Sequence, residues 1–261
     1  MLRSVLWRCW ECCGWGQPRC LVGTAGWSLP REVQGSFPGE GSHLERYARR
    51  FTACEINSSF HRPHRAAIWQ RWAQSVPPSF RFCAKFPKAI THEKRLAGCA
   101  ADIEAFLEQA LPLGSKLDCL LVQLPPSLAF DERTASGFLQ ALRSLWSRGV
   151  AWEPRHESWF APAASALLAG QRVARVRADP VRFAAAAAPG GWPQLVYVRL
   201  HGSPRMYYSA YEEPVIDALA HRIAMEVRAA HTVWCMFDNT AAGAAAHNAL
   251  ALEAALAREL A

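Results

Sequence analysis

No apolar run in the sequence approaches the ~20 residues that a bilayer-spanning helix needs, and the start "MLRSVLWRCW" is broken by Arg8 before a signal-peptide core forms. A membrane partner is therefore not expected, and a cytoplasmic location is. Metalloprotein signatures are equally scarce. There is no H-E-x-x-H, no H-x-H follows the first apolar run, and Cys9 and Cys12 form a C-x-x-C without a second pair at metal spacing. The nine cysteines are an odd count, and Cys54, Cys83, Cys119 and Cys235 lie in or beside apolar runs, as buried free thiols in a reducing compartment would.

About half of the 261 residues are apolar, enough for one large core and too many for a disordered chain. Residues 1–19 have neither helical nor strand period, and are expected to be a disordered Cys- and Trp-rich appendage to a single domain over 20–261. They carry two of the seven net positive charges. The remaining basic excess suits an anionic substrate or nucleic acid and identifies no protein partner.

From Cys20 onward, apolar runs of four to six residues alternate with amphipathic stretches, the pattern of βα units on a parallel sheet. Eight runs stand out: "CLVGT" at 20, "ACEIN" at 53, "FRFCAK" at 80, "CLLVQL" at 119, "VAWEP" at 150, "VARVRA" at 173, "LVYVRL" at 195 and "VWCMF" at 233. Helical periodicity is expected over 66–74, 101–111, 133–146, 161–170, 214–230 and 241–260. Eight strands in one domain predict an α/β fold of the TIM type, a closed (β/α)8 barrel. "FAAAAAPG" after the sixth run is too short for an outer helix.

Each run ends in something polar: Thr24, Glu55 with Asn57, Lys85, Gln123, Glu153 with Arg155, Asp179, Arg199 with His201, and Asp238 with Asn239. Any one of these could be an ordinary cap or ion pair. Residues two apart share a strand face, so the pairs point together, and in a parallel barrel all eight ends meet at one mouth.

The blocks "VGTAGWS", "CEINSSFHRP", "FRFCAKFPKAITH", "LLVQLPPS", "EPRHESWF", "VYVRLHG" and "FDNTAAGAAAHNA" resemble, in order, those of the YecE-like family, domain of unknown function 72. The resemblance runs from about residue 20 to the end and implies a TIM-type barrel with no agreed activity. Glu153-Pro154-Arg155-His156 stands where the family usually has "EFRH", and Phe237-Asp238-Asn239 where it has "FNN". Members usually begin close to the first strand.

Four carboxylates (Glu55, Glu153, Asp179, Asp238) among three cations (Lys85, Arg155, Arg199), with His156 and His201, suit acid/base chemistry on a small anionic substrate, phosphorylated or sugar-like. Glu153 with His201 is the first choice of acid and base. No cofactor is assigned; a divalent metal on His92, Glu153, His156 and His201 is the alternative, opposed by the charge of Arg155 and Lys85. A phosphate cradle is expected from Gly202, Arg205, an Asn239 or Thr240 helix cap and Gly243. Trp27, Phe60, Trp159, Tyr207, Tyr208 and Tyr211 would rim the mouth, and with the basic groups they keep a nucleic-acid-binding or phosphodiester-processing protein as the second reading.

Overall fold

The computed structural model describes residues 19–187, 190–229 and 231–261. Most of the expected appendage lies outside these. Arg19, which is described, places its guanidinium on Asp118 at 3.2 Å.

The strands are β1 (Cys20–Thr24), β2 (Ala53–Ile56), β3 (Arg81–Lys85), β4 (Leu117–Gln123), β5 (Gly149–Glu153), β6 (Ala174–Arg175), β7 (Arg177–Asp179), β8 (Gly190–Gly191), β9 (Leu195–Leu200) and β10 (Thr232–Phe237). Helices α1 (His43–Tyr47), α2 (Ala66–Gln74), α3 (Ala100–Ala110), α4 (Glu132–Leu145), α5 (Pro162–Gly170), α6 (Glu213–Arg228) and α7 (Ala244–Leu260) connect them. One sheet has the order β1-β10-β9-β7 and the other β2-β3-β4-β5-β6-β8. All pairings are parallel except that of β6 with β8. The fold is α/β with parallel sheets.

The expected sixth strand is divided. Its first half pairs with β5, its second half with β9, and Val176 between them donates to Trp152 O. One extended segment thus belongs to both sheets. At the other edge, Ala25 bridges Glu55 and Gly26 N donates to Glu55 O at 2.8 Å. Among the described residues between β7 and β8, only the short turn Ala184–Ala186 forms, as the length of the stretch demands.

Strand alternation sorts the side chains into two cores. Between the sheets lie Leu21, Ala53, Cys83, Cys119, Leu121, Ala151, Ala174, Val176, Leu195, Tyr197, Trp234 and Met236. Small residues on β2, β3, β5 and β6 leave room for Tyr197 and Trp234, stacked at 5.9 Å. The larger core lies between strands and helices; α4 contributes Ala135, Phe138, Leu139 and Leu142 from one stripe. Helix starts are built locally. Ser42 and Glu45 form a reciprocal capping box for α1, and Asp131 accepts from Thr134 N for α4. Cys54, Cys83, Cys119 and Cys235 are buried free thiols.

Gly23 sits where β1 meets β2. A Cβ there would lie 2.1 Å from Ala53 O and 2.9 Å from the Tyr47 hydroxyl. Gly23→Ala is expected to cost about 1–3 kcal/mol through backbone displacement. Gly137→Ala, in open space on α4, should instead stabilise by about 0.5–1 kcal/mol. Urea midpoints of the two variants against wild type check this.

Candidate functional site

Period-2 alternation carries the polar strand ends of β2, β5, β9 and β10 into one buried cluster. Its centre is Arg199, fully buried, two residues above Tyr197 on the same face of β9. The guanidinium grips Glu55 with two bonds, Nε to Oε2 at 2.9 Å and Nη2 to Oε1 at 2.5 Å. It also donates from Nη1 to Glu153 Oε2 at 2.8 Å and lies 3.1 Å from Asp238 Oδ2. Tyr197 adds a phenolic donor to Glu55 Oε2 at 3.1 Å.

His201 lies between the two other carboxylates, Nδ1 at 3.0 Å from Asp238 Oδ2 and Nε2 at 3.0 Å from Glu153 Oε1. Arg155 completes this side, with Nη2 at 2.5 Å from Glu153 Oε1 and 3.0 Å from His201 Nε2. Gln123 donates to Glu153 Oε1 and Asn57 to Asp238 Oδ1, at 3.3 and 3.4 Å. Burying so many charges costs free energy unless each meets a counter-charge in good geometry. Here three carboxylates face Arg199, Arg155 and Lys85.

Electrostatics follow from this packing. Burial pushes the Glu153 carboxyl up, but Arg199, Arg155 and His201 outweigh it and hold it well below the usual range. Asp238 is lowered in the same way, burial being overcome by Arg199 and His201. Arg199 is held charged by its three carboxylates against its own desolvation. Lys85, at the end of β3, is pushed down to about 8 by burial and by Arg199, against Glu55, Glu153 and Asp238. Its Nζ lies 4.3 Å from the centre of the Phe60 ring, and His92 meets that ring edge-on at 5.0 Å. His92 is lowered by partial burial and by Lys85 and Lys88.

Several expected members stand elsewhere. Asp179 and Thr24 are on the outward phase of their strands. Ala174, Val176 and Ala178 take the inner phase of the sixth run, so Asp179 turns out and accepts from the Tyr211 hydroxyl at 2.7 Å. The Tyr211 backbone is held by Asn248, so Tyr211 is loop packing. Asn239, fully buried, donates to Ser209 O and Asn248 Oδ1 and braces that same loop. Gly202 N is occupied by the Tyr211 hydroxyl, and α7 is capped by Gly243 at φ 78, not by Asn239 or Thr240. Arg205 is exposed and stacks on exposed Tyr208 at 3.9 Å. The expected phosphate cradle after the last two strands is therefore not assembled. Trp27 packs edge-on against Trp72 and Phe82, on the outer face of β3.

His156 caps the turn Glu157–Phe160, with Nδ1 accepting from Ser158 N, and His92 Nδ1 lies 2.8 Å from Thr91 Oγ1. His92, Glu153, His156 and His201 therefore do not gather as metal ligands; among the described residues no three His, Cys, Asp or Glu side chains are placed to hold an ion. Residue-level reasoning missed Tyr197 as a member of the cluster, although its spacing of two from Arg199 puts it on the same face. Tyr207, edge-on to His201 at 5.7 Å, and Phe60 were expected only as rim aromatics.

Removing the central guanidinium strands buried carboxylates. Arg199→Met is expected to cost about 3–5 kcal/mol at neutral pH. Glu153 and Asp238, depressed in the fold, stabilise it fully above their unfolded values near 4. That contribution falls as pH drops through the native values, because the unfolded chain then binds more protons. The gap between wild type and Arg199→Met should therefore narrow in acid, as urea midpoints at pH 7 and below pH 4 would show.

Comparison with known proteins places this chain in a family. The model for the protein of unknown function DUF72 matches residues 21–261. The UPF0759 protein YecE of Escherichia coli K12 is 32% identical over 141 residues, 54% of this chain and 50% of that protein. The chain thus spans about half the length of the curated relatives it matches. A DUF72 family protein from Enterococcus faecalis superposes with a TM-score of 0.76 at 23% identity, over 91% of this chain and 95% of that one. One from Thermotoga maritima gives 0.75 at 24%, over 92% and 99%. The fold is shared with both, and with its near full-length match the chain belongs to the DUF72 family.

Proposed function

We propose that this chain is an enzyme whose two sheets close into a (β/α)8 barrel and whose site lies at the C-terminal ends of the strands. The reaction is acid/base chemistry on a small anionic substrate, phosphorylated or sugar-like. Closure is supported by the segment 174–179, shared by both sheets, and by the β1–β2 bridge at Glu55.

The observation that carries the function is the density of buried charge at one end of the strands. Glu55, Glu153, Arg199 and His201 are fully buried, and Asp238 and Lys85 nearly so. A purely structural role would be met more cheaply by apolar side chains of similar volume. Clusters that pull pKa values apart in this way are typical of catalytic sites. Glu153 and Asp238, held ionised, orient His201; Lys85, lowered to about 8, has both charge states in reach near neutral pH.

Among the buried polar side-chain atoms without a hydrogen-bond partner, Arg155 Nε and Asn57 Oδ1 belong to residues of this cluster. A donor and an acceptor without partners in this buried cluster suit a ligand with an anionic oxygen and a hydroxyl. The balance of three carboxylates against three cations favours a small molecule over the phosphodiester backbone of nucleic acid, which calls for a net basic groove.

A thermal-shift panel tests this reading. Phosphorylated sugars should raise the melting temperature, and their unphosphorylated counterparts should do so less. Arg155→Lys, which keeps charge but loses the planar fork, should weaken that binding about 10-fold or more. Stabilisation by single-stranded oligonucleotides and by no small anion would favour the nucleic-acid reading instead.

A further inference from the structure

Lys85, Lys88, Lys94 and Lys116 are the four lysines of the sequence, in a chain that otherwise draws its positive charge from arginine. Three of them face oxygen. Lys94 is bonded to both carboxylate oxygens of Asp102, Lys88 lies 3.6 Å from Glu93, and Lys116 donates to the carbonyls of Ala73 and Val76. Lys85 differs: among the described residues its Nζ makes no hydrogen bond and no ion pair, and its contact is with the face of Phe60. Yet the residue is only 6% exposed. The backbone that carries it is pinned, since Ser59 Oγ donates to Lys85 O at 2.7 Å while lying 2.9 Å from Ile56 O.

We propose that Lys85 is an imine-forming lysine, its amine attacking the carbonyl carbon of an aldehyde or ketone whose anionic group is held by Arg155. The proposal rests on the small-anion reading above and names the substrate class. In the step, the neutral amine forms a C–N bond and the carbonyl oxygen takes up one amine hydrogen, giving a carbinolamine. The second amine hydrogen then leaves with that hydroxyl as water while the C=N bond forms. Atoms and electrons balance without oxidant or reductant.

Three features support this chemistry. The ring face of Phe60 offers the nitrogen no oxygen acceptor, whereas a carboxylate or carbonyl partner would accept from its N–H groups and favour the ammonium form, whose lone pair is protonated. The groups facing it are Arg199 and His92 on one side of the charge balance and Glu55, Glu153 and Asp238 on the other, and burial with Arg199 lowers the ammonium to about 8. Near pH 7.5 that leaves on the order of 10²-fold more neutral amine than an ordinary lysine has. Lys116 is also lowered, by burial and Arg81, but its donors are spent on two carbonyls. Finally, Arg155, with its open Nε, provides the anion holder.

The full chain is incubated with dihydroxyacetone phosphate, and separately with dihydroxyacetone, in the presence of sodium borohydride, which reduces an imine to a stable secondary amine. Peptide mapping of the wild type then reads each lysine, with no variant needed. The expected result is one adduct, on Lys85, at least about 10-fold above Lys88, Lys94 or Lys116, faster for the phosphorylated probe, and rising with pH to a plateau above about 8. Lys85→Met should melt as a folded protein and lose the adduct. Equal modification of all four lysines, or an undiminished adduct in Lys85→Met, overturns the proposal. So does the absence of any adduct. In that case, stabilisation by dihydroxyacetone phosphate leaves the small-anion reading standing, while the failure of every panel anion to stabilise the chain removes both.

Discussion

Everything at the polar end of this molecule depends on one guanidinium in the dry interior. Arg199 is fully buried, so its donors have to be met by groups of the protein, here carboxylates, and the geometry of the fork dictates where those carboxylates stand. Glu55 takes the bidentate edge; Glu153 and Asp238 take the remaining directions. Each of these three then has oxygen capacity left over, and that remainder is what fixes His201, Arg155, Gln123, Asn57 and Tyr197. The site is thus a set of side chains ordered outward from a single planar cation, each held by the residue before it.

The apolar layer beneath makes this arrangement affordable in space. Alanine and cysteine dominate the inner positions of β2, β3, β5 and β6, and the volume they give up is taken by Tyr197 and Trp234. Tyr197 belongs to both layers, its ring stacked in the apolar core and its hydroxyl on Glu55. Larger side chains at the small positions would push that ring upward into the ion cluster, so core packing and site geometry are one constraint.

Much of this was legible in the sequence because the period of a strand is two. The pairs Glu153 with Arg155 and Arg199 with His201 share a face in the sequence and meet in the structure. The same rule locates what failed. Asp179 ends the sixth run as Glu153 ends the fifth, but the run's small residues Ala174, Val176 and Ala178 claim the interior and turn Asp179 away. Phase within a run of mixed apolar residues is decided by which partners pack, and local sequence does not carry that. The loops were least legible. Gly202 and Asn239 have the composition of an anion cradle, yet Gly202 N is taken by the Tyr211 hydroxyl and Asn239 donates to Ser209 O and Asn248 Oδ1, because a loop folding over a sheet has to satisfy its own polar groups first.

Glu55 has a double attachment. Its side chain grips Arg199, while its backbone carbonyl and Cα position join β2 to β1 through Gly26 N and Ala25. Opening of that seam and loosening of the ion cluster are therefore a single event. The Gly26 amide hydrogen is the natural witness to it: its exchange with solvent requires the seam to part, and Glu55 links that amide to the ion cluster.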